Sequence, residues 1–219
     1  MKLFSILILS LILFVGCSKV KNEEPSLKVI DTDFSKGRLN HEQKITLSDL
    51  VKFHGHKCDG LVVGFLAIQE AMKELYPKTP LDRTDLRIVS KSSPCLTDVA
   101  IYLTGGRYQF STFYVDNDID GLFVIQRISD QKTITVNIKE GVIPRDIKSM
   151  GKKAVQQELS PCDLDNLKKL EDDFSDFLIS SNSEELFQVD EVKEFEWKPT
   201  TKNDYIKTDI LNKLVKECM

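Results

Sequence analysis

From Thr46 onward the apolar positions fall into regular patterns. Leu47 to Phe53 predicts a short helix. Leu61, Phe65, Ile68, Met72 and Leu75 then recur at spacings of three and four, the apolar stripe of an amphipathic helix. Asp59-Gly60 opens that helix and Tyr76-Pro77 closes it, because proline disfavours helical geometry in the residue before it. Leu86 to Val89 reads as a strand, and Pro94 to about Leu103 as a second helix stopped by Gly105-Gly106. Three strand-like runs follow, Phe110 to Val115, Leu122 to Arg127 and Thr133 to Ile138, and their short turns predict an antiparallel meander. The chain turns helical again after Pro144. Ser160-Pro161-Cys162-Asp163 has the form of a helix start, with Leu164, Leu167, Leu170, Phe174, Phe177 and Leu178 as the buried stripe. A short helix near Ser183 to Phe187, an edge strand around Val192 to Trp197 and a final helix from about Thr208 to Cys218 complete the reading. The sum is an α+β fold, helices packed on one antiparallel sheet.

The first residues do not belong to that pattern. Lys2 precedes an almost unbroken apolar run from Leu3 to Val15; at about 13 residues it is shorter than the ~20 a membrane-spanning helix needs, and it suits a signal peptide. Gly16-Cys17 follows directly and resembles the lipobox of bacterial lipoproteins, in which the cysteine becomes the lipid-bearing first residue. The expectation is a signal peptide over 1–16, lipidation at Cys17, and a domain held by its lipid on a membrane of the bacterial cell envelope, outside the cytoplasm. An ordinary signal peptide cut elsewhere is the alternative. Residues 17–45, with Pro25 and many charges, read as a tether. The domain proper is expected over 46–180, with 181–219 a C-terminal extension packing on it.

The charge balance, −4 overall, and the lack of a Lys/Arg run with interleaved aromatics argue against a nucleic-acid partner. The five cysteines are too few for a disulfide scaffold. Of the three histidines, two fall in His54-Gly55-His56-Lys57-Cys58-Asp59-Gly60. Imidazole and thiolate together suit zinc and other borderline or soft transition metals. The flanking glycines let the backbone of so short a loop turn three side chains toward one point. Cys58 also precedes a helix, whose N-terminal dipole favours thiolate. A fourth ligand must come from elsewhere, and Cys95, followed one turn later by Asp98, is the candidate. Asp98 is expected either to ligate the metal or to orient a histidine. A Cys58–Cys95 disulfide is the competing account of the two sulfurs. Cys162 and Cys218 have no histidine neighbours; the first reads as a buried thiol and the second as a frayed terminal one, with a disulfide between them the alternative. Asp116 to Gly121 resembles a calcium loop only distantly, lacking the closing glutamate, and reads as a solvated turn.

Phe53-His54-Gly55-His56-Lys57-Cys58-Asp59-Gly60-Leu61 resembles the signature of the FmdE family of formylmethanofuran dehydrogenase proteins, F-H-G-H-x-C-P-G followed by a helix. Cys95-Leu96-Thr97-Asp98 with Leu103-Thr104-Gly105 resembles its second block, and the similarity runs from about Leu47 to Leu178. The resemblance implies an α+β core, often dimeric, with a metal-holding cleft formed by His54, His56, Cys58, Cys95 and Asp98. Asp59 stands where the family has proline, Gly106 where many members have cysteine, and Arg107 to Phe110 replace a Gly/Lys-rich loop. Three functions remain open: a metal-binding protein for metal handling or as accessory to a metalloenzyme, with zinc the expected ion; an enzyme on an unidentified small molecule, with Cys58 and Asp98 as catalytic groups; and a thiol–disulfide protein cycling Cys58 and Cys95.

Overall fold

A computed structural model describes residues 23–32, 38–199 and 213–214. In chain order the elements are β1 (Ser26–Thr32), β2 (Leu39–Thr46), α1 (Leu47–His54), α2 (Asp59–Leu75), β3 (Leu81–Asp82), β4 (Leu86–Ser90), α3 (Pro94–Thr104), β5 (Phe113–Val115), β6 (Phe123–Arg127), β7 (Thr133–Ile138), α4 (Arg145–Val155), α5 (Pro161–Ser180), α6 (Ser183–Leu186) and β8 (Phe187–Glu191). The class is α+β.

The expected stripe on α2 is buried, but so are Val62, Val63, Leu66 and Ala67 on its other sides. A helix apolar all round must be covered all round. Here α3, α5, α6 and the β7–β8 part of the sheet surround it. Phe65, at 0% exposure, anchors this arrangement and contributes ~2–3 kcal/mol by burial alone. On α5 the buried positions are Leu167, Phe174, Ser175 and Leu178, whereas Leu164 and Phe177 stand half-exposed. The capping box predicted at Ser160 and Asp163 is present.

Three expectations about the strands need correction. First, the sheet is mixed. Its order is β5-β4-β6-β7-β8, and β5 pairs in parallel with β4 rather than with β6. The reason is α3: a helix between two strands returns the chain to the same end of the sheet, so β4 and β5 run alike as a βαβ unit. Only β6 and β7 keep the meander pairing, with β4 antiparallel to β6 and β8 to β7. Second, the edge strand lies at Phe187–Glu191, ahead of the expected Val192 to Trp197. Residues beyond it cross the sheet instead: Phe195 and Trp197 pack on Val89, Tyr114 and Val124, whose odd–even alternation with Ile88, Phe113 and Phe123 puts them on the face away from α2.

Third, 26–32 and 39–45 of the expected tether are strands. β1 and β2 form an antiparallel pair, with β3 parallel to β1, in a second three-stranded sheet. Val29 and Ile45 from this sheet join the main core. Leu47 N–H donates to Pro25 O at 2.9 Å and Gln69 Nε2 to Ser26 O at 2.8 Å, tying the pair to α1 and α2. The final helix expected from Thr208 to Cys218 lies outside the described residues apart from Lys213 and Leu214, a turn beside β2 whose Lys213 Nζ meets Thr84 Oγ1 at 3.0 Å. Among the described residues no helix is long and apolar enough to cross a membrane.

Candidate metal centre

Three helix ends build the site. Thr46 and Asp49 fix the start of α1 by a reciprocal capping box. The helix stops at Gly55, whose φ of 100° is left-handed and whose N–H donates to Val51 O at 2.8 Å. That left-handed residue turns the chain between His54 and His56, so both imidazoles lie on the same side, ring centroids 4.7 Å apart. Cys58 is the N-cap of α2. Cys95 lies in the first turn of α3, whose N-cap Ser93 accepts from Leu96 N–H.

These ends bring the sequence-predicted residues together. His54 Nε2 is 3.8 Å from Cys58 Sγ and 3.7 Å from Cys95 Sγ, and the two sulfurs are 3.3 Å apart. Ligand atoms of His54, His56 and Cys58 all lie within 4.8 Å of one another. Ideal bond lengths to zinc, ~2.0–2.3 Å at tetrahedral angles, put an imidazole nitrogen ~3.6 Å from a sulfur and two sulfurs ~3.8 Å apart. The observed triangle is within about half an ångström of those edges, so His54, Cys58 and Cys95 fit one face of a tetrahedral ion in both chemistry and size. Gly60 makes room for the Cys95 side chain: a Cβ there would lie 3.1 Å from Cys95 Sγ.

Asp98 Oδ2 is 2.7 Å from His54 Nδ1. With His54 neutral, Nδ1–H donates to the carboxylate and the Nε2 lone pair faces the two sulfurs. The His54 side chain is only 6% exposed against 32% for Asp98, so the carboxylate stays at the water boundary while the ring is enclosed. The Asp98 hydrogen bond raises the His54 pKa, outweighing burial. The paired thiols titrate in two steps. Contact with Cys58 lowers Cys95 to about 7, whereas contact with Cys95, then burial, pushes Cys58 up. Both sulfurs stand at helix N-termini, Cys58 at the N-cap of α2 and Cys95 in the first turn of α3, so the dipole favours thiolate in the pair as a whole.

The other singled-out residues sit elsewhere. Cys162, expected buried, is an exposed free thiol at the start of α5. Cys17 and Cys218 lie outside the described residues. Asp116 and Asn117 accept from the backbone N–H groups of Asp118 and Ser92, each at 2.8 Å, as in a solvated turn. Sequence reasoning missed the contribution of α5. Lys57 Nζ reaches Asp176 Oδ1 at 2.8 Å, which ties the loop to α5. Asp59, first residue of α2, has its carboxyl pKa raised chiefly by burial, and Glu171 of α5 is raised by burial and then by Asp59. Only the unusual acid after Cys58 pointed that way. Phe53, half-exposed, stacks on Tyr102 at 5.1 Å beside the loop.

No curated protein matches the chain. The family model described as FmdE, molybdenum formylmethanofuran dehydrogenase operon, matches residues 53–188, more than half of the sequence and a span that contains every residue of the site. The chain belongs to the FmdE family.

Proposed function

We propose that this protein holds a transition metal, zinc by preference, through His54, His56, Cys58 and Cys95, and that it serves in metal handling or as an accessory to a metalloenzyme, anchored in the cell envelope by a lipid on Cys17. The observation that carries the reading is the triangle of His54 Nε2, Cys58 Sγ and Cys95 Sγ, with edges of 3.8, 3.7 and 3.3 Å. Two imidazoles and two thiols form a borderline-to-soft set, which selects zinc-like ions over magnesium or calcium. Asp98 acts on the ion through His54 rather than by ligation, since its carboxylate is engaged at Nδ1. His56 is exposed, so the ion would be reached from solvent on that side. When bound, such an ion supplies Lewis acidity and a fixed positive charge.

X-ray absorption on the zinc-loaded full chain in detergent tests the ligand set. The reading expects two sulfur and two nitrogen neighbours. A shell of oxygen and nitrogen alone would exclude Cys58 and Cys95 as ligands. For the anchor, Cys17→Ala is expected to abolish lipid attachment seen by intact mass; unchanged mass behaviour would remove it.

A further inference from the structure

We propose that Cys58 and Cys95 form a dithiol switch on the metal site, a disulfide between them emptying it and reduction restoring it; this rests on the metal-binding reading above. The sulfurs stand 3.3 Å apart, between the ~2.05 Å of a disulfide and the ~3.8 Å of two thiolates on one tetrahedral zinc. They come from different helices, 37 residues apart in sequence, so the bond would join the starts of α2 and α3. Both cysteines are partly exposed, within reach of an incoming disulfide. Gly60 leaves the Cys95 side chain space that any Cβ would take, at 3.1 Å from Sγ and 3.3 Å from Cβ. His54 Nε2 is nearly equidistant from both sulfurs, so joining them removes both thiolates from one point and leaves only imidazoles. Two imidazoles alone are a poor site for a structural ion that takes four ligands.

The oxidant is a disulfide, small-molecule or protein. One cysteine sulfur attacks it, forming a mixed disulfide and expelling one half as a thiol. The second cysteine then attacks the first, forming the Cys58–Cys95 bond and expelling the other half. Two S–H bonds break and one S–S bond forms. Two electrons and two protons leave on the departing thiols. In the loaded protein the sulfurs give up the divalent ion instead of protons, and the departing halves leave as thiolates. Exchange with a reducing dithiol reverses every step.

The test uses the full chain in detergent, reduced, in metal-free and zinc-loaded forms, exposed to glutathione disulfide. Peptide mapping follows the bonds and a chromogenic chelator follows zinc. The metal-free chain is expected to give an internal Cys58–Cys95 bond, and Cys162→Ser to behave identically. Cys95→Ser is expected to stop at a mixed disulfide with glutathione. From the loaded chain, zinc should leave in step with the internal bond and be retaken after dithiothreitol. Separate glutathione adducts on Cys58 and Cys95, or an internal bond with zinc still held, would overturn the switch and leave the metal reading intact. A reduced chain that takes up no zinc would overturn both.

Discussion

His54 is the residue on which the site turns, and Asp98 decides which of its nitrogens is offered. The carboxylate holds Nδ1–H at 2.7 Å, so Nε2 is left for a metal. Asp98→Asn keeps the size but removes the charge. Zinc affinity, measured by competition with a chelator, is expected to fall about 10–100-fold, the usual cost of losing such a partner, with the melting temperature of the metal-free protein nearly unchanged. An Asp98 that mattered only to folding would lower the melting temperature and leave the affinity alone. Asp59 gives a different residue-scale effect. Burial raises its pKa, so its ionised form is disfavoured in the folded state. A carboxyl raised on folding costs stability at pH above its folded pKa and costs nothing below its unfolded value of about 3.8. Asp59→Asn is therefore expected to melt higher than wild type at neutral pH in the presence of chelator, the advantage shrinking as pH falls into the ordinary carboxylate range. An advantage independent of pH would contradict this cause.

At the scale of elements, the two-stranded β1–β2 pair decides where the domain begins. Val29→Ala removes fully buried methyl groups and is expected to cost about 2 kcal/mol in denaturant unfolding, where a residue in a solvated tether would change stability by less than about 0.5 kcal/mol. The pair was hard to read because each strand sends few apolar residues inward, Val29 and Ile45, while Lys28 and Glu42 form an ion pair at 3.3 Å on the wet side. Charge density there looks like a tether although the two strands pair with each other from Ser26 opposite Thr46 to Thr32 opposite Leu39. The helices were far more legible. Their stripes, caps and stop signals are local: Ser160 with Asp163, Tyr76-Pro77 and Gly105 mark the bounds close to where they fall. Strand partners are not local. Nothing in Phe113 to Val115 itself says that it lies beside β4, which follows only once α3 is recognised as a crossover. Phe195 and Trp197 misled in the same way, since aromatics covering a sheet face carry the composition of a strand.

Over the whole molecule, the site lies where α1 ends and α2 and α3 begin. Three of its five residues were legible together because His54, His56 and Cys58 lie in one five-residue stretch. Cys95 and Asp98 were legible as candidates, but their arrival at His54 depends on α2 packing against α3. The approach of α5, through Lys57–Asp176 and the part-buried carboxyls of Asp59 and Glu171, had almost no signal, because it is a tertiary contact between residues far apart in sequence. Everything proposed for function depends on those three helix ends holding an ion. The measurement that tests this most directly is the metal content, by elemental mass spectrometry, of the full chain purified in detergent without chelator, beside Cys58→Ala. The account predicts near-stoichiometric transition metal, zinc first, in the wild type and its loss in the variant. A reduced wild-type protein free of metal, or a Cys58→Ala protein that keeps it, would contradict the account.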